Sequence, residues 1–295
     1  MAITVGFVSE KGGVGKTTAC YHIAYGLHHH EDKRVLVVDT DYQRGGITCR
    51  IVPALLEHFR SGSLPGVTLY DKFQQLYSGV QLTPNVDIRN SPEGVDLMPA
   101  DPRLSHVSVD KLPSTNNIRE NNRRLWTHLK VLQVVLEPLQ DEYDYILVDS
   151  HPELSDLLRT VVYASDFCVS PVKFDLQSTV GVPSAIQAMN EVNDDMQMIG
   201  QALGDTDGFT PTVFKGAMGM MAREWGSGLK NSEMRQYRRL ERSCGVFESY
   251  ITEGDGLRLA SENRCSVHEI KGANAEKQSQ QFRAMTREFI QRCTP

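Results

Sequence analysis

Eight residues near the start of the chain, Lys11 to Thr18 (KGGVGKTT), restrict the fold more than any other stretch, because of what flanks them. Before them, Ile3–Ser9 (ITVGFVS) is a short apolar, β-rich run that reads as a buried strand. After Lys16 the apolar residues Ala19, Ile23 and Leu27 recur every four positions, as one face of a helix requires. A strand that passes through glycines directly into a helix is the opening unit of a helix-covered parallel sheet. Later segments repeat that alternation. Lys33–Asp41 and Gly94–Asp101 read as strands, and Asp141–Glu153 contains another that runs into an aspartate. Asp166–Val172 follows, and Gly208–Phe214 is a weaker one; Asn121–Leu139 is spaced as a helix that stops at Pro138. The expected fold class is therefore α/β, a mostly parallel sheet with helices on both faces, in a single domain over 1–295. Residues 80–120, with Pro84, Pro92, Pro102 and Pro113 among polar residues, read as loops around one strand.

The loop itself has the chemistry of a phosphate grip. A phosphate needs backbone N–H groups pointing inward, a helix N-terminus behind it and a cation in front. Gly12, Gly13 and Gly15 let the backbone come close, with Val14 between them, and Lys16 opens the helix where it can reach the β- and γ-phosphates. The Thr17 hydroxyl can bind Mg²⁺, and Thr18 completes the first turn. Against the usual G-x-x-x-x-G-K-[ST] pattern the first glycine is missing, and Glu10 stands there. The expectation is a nucleoside triphosphate site; the competing reading is a glycine-rich turn with no ligand. One lysine suffices for the phosphates, which leaves Lys11 to be explained as a second cation or as a solvated loop lysine.

Composition removes several alternatives. The chain is 40% hydrophobic and 23% charged, ordinary for a globular protein, and no run approaches the ~18 consecutive apolar residues of a membrane span. No basic, apolar and small-residue succession marks the start for export. Six scattered cysteines (Cys20, Cys49, Cys168, Cys244, Cys265 and Cys293) form no C-x-x-C, which speaks against zinc, iron–sulfur or disulfide frameworks and for reduced thiols in a cytoplasm. A net charge of −6 argues mildly against nucleic acid, although charge distribution matters more than its sum.

The KGGVGKTT run resembles the deviant Walker A motif of the ParA/MinD family of P-loop ATPases, most like the ParA-type, Soj-like members. In that family the first lysine reaches across a nucleotide-sandwich dimer, so the resemblance implies that Lys11 acts in trans and Lys16 in cis on ATP. The likeness extends to Asp39–Gln43 (DTDYQ), the D-x-D-x-Q motif, which implies that Asp41 positions the attacking water and Asp39 supports Mg²⁺ through its water shell. Without the loop, both aspartates would read as caps of the next turn. Tyr143–Pro152 looks like the Walker B strand, with Asp149 as the magnesium-side acid. Where the family has threonine and prolines, this chain has Ser150, His151 and Pro152; His151 is open to acid–base chemistry but reads better as a loop histidine at the switch. Ala164–Val182, Phe247–Ile251 and Ala260–Glu269 continue the likeness.

Among the relatives, iron–sulfur members need cysteine spacings absent here, and no N-terminal DNA-binding domain is expected, since the motif begins at Lys11. A ParA-type partition ATPase is the leading reading. Residues 215–242 hold seven basic against three acidic residues, a net +4, and Arg235, Arg238, Arg239 and Arg242 fall at i, i+3, i+4 and i+7, on one face of an expected helix. Such a stripe suits non-specific DNA, though a solvated helix face has the same spacing. The resemblance implies Mg-dependent ATP hydrolysis, slow alone and stimulated by a ParB-like centromere-binding or cargo adaptor protein. It implies an ATP-dependent homodimer, cytoplasmic and nucleoid-associated, that moves a plasmid, chromosome or protein cargo. The alternative is a MinD-like membrane-associated ATPase, with Phe282, Met285 and Phe289 as the apolar face of a C-terminal helix. That face is thin and diluted by Gln278, Gln280, Gln281 and Glu288, so it reads as the last helix packing onto the domain, with no membrane partner. A regulatory protein that uses ATP only to dimerise is the third reading, against which Asp39, Asp41 and Asp149 together argue.

Overall fold

The computed structural model describes residues 1–43, 46–91, 93–204, 209–226, 228–272 and 274–294. Its strands are β1 (Ile3–Phe7), β2 (Val35–Asp39), β3 (Asp96–Met98), β4 (Tyr145–Asp149), β5 (Phe167–Val172), β6 (Val213–Ala222), β7 (Glu224–Trp225), β8 (Gly228–Leu229) and β9 (Val246–Thr252). Its helices are α1 (Lys16–Glu31), α2 (Gly46–Ile51), α3 (Leu56–Ser61), α4 (Leu69–Tyr77), α5 (Ile118–Leu129), α6 (Val131–Leu136), α7 (Asp156–Tyr163), α8 (Leu176–Leu203), α9 (Asn231–Cys244), α10 (Asp255–Glu262) and α11 (Ala275–Arg292).

Seven strands pair in the order β3-β2-β4-β1-β5-β6-β9, each pair parallel, while β7 and β8 make a separate small hairpin. Every residue of β2 and of β4 is buried, which is why they read as unbroken apolar runs instead of alternating ones. Their side chains nonetheless divide by turns between two cores. Val35, Val37, Tyr145 and Leu147 face α1 and α11, and Leu36, Val38, Ile146 and Val148 face α4, α6 and α7. Helices therefore cover both faces of the sheet, as the α/β reading requires.

The structure departs from the sequence reading in three places. The expected helix over Asn121–Leu139 is two helices that meet at Lys130, followed by a 3₁₀ turn at Glu137–Leu139. Pro138 cannot continue an α-helical ladder, so the turn tightens there. The strand expected at Gly208–Phe214 starts later, at Val213, and runs on to Ala222. Gly208 lies outside the described residues, and Pro211 has no N–H for a central ladder. Within 80–120 the strand is only Asp96–Met98, joined by a bridge to Arg89; Pro92 lies outside the described residues. The rest of that segment up to α5 has 3₁₀ turns at Pro102–His106 and Val109–Lys111, packs Leu82, Val86, Ile88, Leu104 and Val107 against the core, and is tied by polar contacts such as the Val109 N–H donating to Asp156 Oδ2 at 2.8 Å.

The last helix packs inward. Phe282, Met285 and Phe289 of α11 are fully buried, with the Phe289 ring stacked 6.0 Å from that of Phe7 on β1. The apolar face that a membrane anchor would need is thus occupied by the sheet. No helix among the described residues is long and apolar enough to cross a membrane.

Candidate functional site

Parallel strands end together, so the loops after β1, β2 and β4 gather at one edge of the sheet, where open α/β sheets bind ligands. The register aligns Phe7 with Asp149 and Asp39 with Asp149, which seats two carboxylates side by side at neighbouring strand ends. The loop after β1 rises in front of them. Gly13 (φ 75°) and Gly15 (φ 94°) take left-handed backbone, and a Cβ on Gly15 would also press on the Met220 side chain, so glycine is required there. Gly15 caps α1 without a side-chain hydrogen bond, which leaves the first-turn N–H groups facing a cavity of about 210 Å³. Lys11, Gly12, Gly13, Gly15, Lys16, Thr17, Thr18, Asp41 and Pro152 line it. Val14 is buried and anchors the loop from behind.

Lys16 is buried, and its ammonium donates to Asp149 Oδ1 at 2.8 Å and to the Ser150 carbonyl. Burial lowers its pKa, but Asp149, with Asp41 and Asp39 behind it, more than offsets this and holds it above the ordinary lysine value. Asp39 is also fully enclosed. Its Oδ1 accepts the Asp41 N–H at 2.9 Å, and its Oδ2 accepts the Thr48 N–H at 3.0 Å and hydroxyl at 2.6 Å. Burial and then the neighbouring Asp149 push its carboxyl up to about 7, against those hydrogen bonds. Asp41, on the loop after β2, is only partly buried; burial raises its pKa while Lys16 opposes.

Magnesium is what a site of this kind implies. Asp149 Oδ2 is buried and has no hydrogen-bond partner among the described residues, beside the loop that carries Thr17. A buried carboxylate oxygen with an open lone pair next to a hydroxyl is a fitting donor set for a hard, hydrated cation. Asp39, with both oxygens already engaged, fits the outer water shell better than direct contact.

Lys11 lies at the rim of the cavity, with its ammonium donating to Gln177 Oε1 of α8 at 2.9 Å. The helix behind the loop is locked from below by His22. Its Nδ1 contacts the Thr18 carbonyl at 2.8 Å, and its Nε2 accepts the Val267 N–H at 3.2 Å. The ring is therefore neutral with its proton on Nδ1, and burial, then Arg50, keeps its pKa well below the usual histidine range. Sequence reasoning missed His22, Thr48 and Gln177; the one available signal was a histidine inside the apolar face of α1.

The arginine stripe lies elsewhere, on α9. Met234, Tyr237 and Leu240 turn inward, and Arg235, Arg238, Arg239 and Arg242 stand on the other side. None of the four has an ion pair among the described residues, whereas Arg223 is held by Glu233 at 2.6 Å and Lys215 lies over the Phe167 ring.

Comparison with known proteins bears on the fold and the family. The family model AAA_31, described as an AAA domain, matches residues 2–199. The plasmid partition protein A of Escherichia coli is 27% identical over 172 residues, 56% of this chain and 41% of its own length. The sporulation initiation inhibitor protein Soj of Bacillus subtilis is 27% identical over 219 residues, 71% of this chain and 75% of its own. The match thus spans less than half of the partition protein. Among solved structures, an ATP complex of a Cyanothece McdA variant superposes with a TM-score of 0.70 at 17% identity, covering 98% of this chain and 96% of that one. A cobyrinic acid a,c-diamide synthase from Mycobacterium smegmatis with bound ADP and magnesium gives 0.67 at 17% identity, covering 99% and 95%. At such identities the structural likeness concerns the fold.

Proposed function

The chain belongs to the ParA/MinD family of P-loop ATPases, through an AAA domain match over residues 2–199, and on that premise we propose that it closes into a dimer around ATP, holds DNA without sequence preference and lets go on hydrolysis. The observation that carries this reading is the cavity that joins the phosphate loop, Lys11 and Asp41 in one wall. Lys16 and the α1 N-terminus bind the phosphates of the chain's own nucleotide, and the Thr17 and Thr18 hydroxyls complete the cradle. Asp149 and Thr17 would hold Mg²⁺, with Asp39 behind its water shell; when bound, the cation neutralises charge on the β- and γ-phosphates. Asp41 orients the attacking water. Phosphoryl transfer is mostly positioning and charge neutralisation, so this carboxylate need not be a strong base.

Lys11 at the cavity rim is free to exchange its surface contact with Gln177 for a partner subunit's phosphates, which makes dimerisation depend on the triphosphate. Pairing two copies doubles the stripe of Arg235, Arg238, Arg239 and Arg242, and four guanidinium groups on one helix face suit phosphate contacts. A ParB-like or cargo adaptor protein would stimulate turnover, in a cytoplasm and over the nucleoid, to move plasmid, chromosome or protein cargo. The deciding experiment is binding to mixed-sequence DNA with ATP, ADP or no nucleotide across a salt series. We expect tight binding only with ATP, falling steeply as salt rises, with Arg239→Ala lowering the log–log slope by about one for each DNA phosphate it leaves unneutralised. Absence of binding in all three states defeats the DNA reading and leaves ATP-dependent vesicle binding as the next assay.

A further inference from the structure

His151 stands two residues after Asp149, and its surroundings are specific. It is buried, on the segment between β4 and α7, with its ring parallel to that of Tyr42 (centroids 4.1 Å apart, planes at 8°). Nδ1 accepts the Glu153 N–H at 3.3 Å, which leaves the proton of the neutral ring on Nε2. Nε2 is buried, has no hydrogen-bond partner among the described residues, and stands 3.9 Å from Asp41 Oδ1. That same oxygen accepts the Gln43 N–H at 3.0 Å. A buried donor without an acceptor is costly, and the gap to Asp41 exceeds a hydrogen bond by only about 1 Å. Tyr42 and Asp41 are chain neighbours, so the stack that holds the ring keeps it beside the carboxylate. Pro152, the next residue, lines the nucleotide cavity, so the segment that carries His151 touches the ligand's space directly.

Resting on the reading of Asp41 as the group that orients the attacking water, we infer that His151 is its positioning residue. In the ATP-loaded state the Nε2–H donates to Asp41 Oδ1. With Oδ1 held by His151 and the Gln43 N–H, Oδ2 is left to face the water. The ring stays neutral, and no proton is transferred. Tyr42 acts as a plate that keeps the imidazole in plane.

The test uses the full chain and two substitutions. His151→Phe keeps the stack on Tyr42 and removes the donor, whereas His151→Gln restores a donor at the Nε2 position. We expect His151→Phe to lower kcat about 10- to 100-fold, the scale of a small misplacement in a reacting constellation, with the Kd for a non-hydrolysable ATP analogue changed less than about twofold. His151→Gln should recover most of the loss. In an Asp41→Asn background, His151→Phe should add little, because the two act through one contact. Independently of turnover, ¹⁵N spectra of ring-labelled histidine should show an Nε2–H tautomer for His151 whose signal moves on addition of the analogue in wild type and stays in Asp41→Ala, which removes the acceptor. Wild-type turnover in His151→Phe, additive losses in the double variant, or His151→Gln no better than His151→Phe overturns the assignment. If His151→Phe fails to fold, the glutamine variant and the ring signal decide. An unchanged kcat in Asp41→Asn alone instead refutes the role of Asp41, and this inference with it.

Discussion

Replacing Lys16 with alanine removes more than a proposed phosphate ligand. The Lys16 side chain is 6% exposed, and its ammonium lies 2.8 Å from Asp149, which is fully buried. Asp39 stands at the aligned position of the adjacent strand, its carboxyl already pushed up to about 7. Without the cation, two enclosed carboxylates face each other across one strand spacing. Deleting one partner of a buried pair costs about 3–5 kcal/mol, because the other charge stays desolvated and unpaired. Protonation sets a ceiling: neutralising an ordinary aspartate at pH 7 costs about 4 kcal/mol, some three units at 1.36 kcal/mol each. The expected loss for Lys16→Ala is therefore about 3–4 kcal/mol at pH 7 without nucleotide, or roughly 5–6 °C in Tm for a chain of this size. Urea unfolding followed by circular dichroism measures it. Adding Asp149→Asn should return more than half of the loss, since the orphaned charge goes with it. A Lys16→Ala protein within about 1 kcal/mol of wild type, or a double variant no more stable than the single, would refute this account of the pair. The outcome also bears on function, because lost nucleotide binding in Lys16→Ala reports the phosphate contact only in a background that is still folded.

Lys11→Ala should be nearly silent for stability, within about 0.5 kcal/mol, since its hydrogen bond to Gln177 is exposed. Calorimetry should find ATP affinity largely intact and light scattering should find the ATP-dependent dimer gone; equal losses of ATP affinity in Lys11→Ala and Lys16→Ala would discredit the trans role. Gly26→Ala places a Cβ against the Thr286 hydroxyl of α11, which is itself buried, and should destabilise by about 1–3 kcal/mol in urea, with Thr286→Ala restoring much of it. His128 sits buried against Phe73, with Nε2 3.1 Å from the Tyr77 hydroxyl and Nδ1 without a partner among the described residues; burial holds its pKa down to about 4. Between about 6.5 and 4 the unfolded chain binds a proton that the folded chain refuses, so stability should fall as pH falls through that window, by up to about 3 kcal/mol. His128→Phe should flatten the urea-midpoint profile there; a profile unchanged by the substitution would mean that His128 is protonated in the fold.

The phosphate loop was legible because everything it needs is contiguous: left-handed backbone at Gly13 and Gly15, a lysine at the helix start and a strand before it. Such geometry depends on residues within a few bonds of each other, and local sequence specifies it without help from the rest of the chain. The buried strands were readable for a similar reason, since the parallel sheet covers both of their faces and leaves no polar positions in β2 or β4 before the terminal aspartates. The amphipathic helices α9 and α11 followed from spacing alone, including the inward turn of Phe282 and Phe289. The late start of β6 was legible in Pro211 but was read too early, whereas the break of the long helix at Lys130 was not readable, because no glycine or proline stands there.

The phosphate-loop motif nominated Lys16, and the family resemblance nominated Asp39, Asp41 and Asp149, but neither gave their assignments to each other. Lys16 and Asp149 are 133 positions apart, and only the strand order, with β4 between β1 and β2, brings the amine to that carboxylate. The same order puts Asp39 beside Asp149 and raises its pKa, hands Asp39 to Thr48, and lays His151 on Tyr42 within reach of Asp41. The sequence by itself therefore determined the loop, the strands and the chemical types at the site. The tertiary structure decided which charge neutralises which, because a buried ion's energy depends on what lies within a few ångströms of it, and chain spacing does not carry that distance.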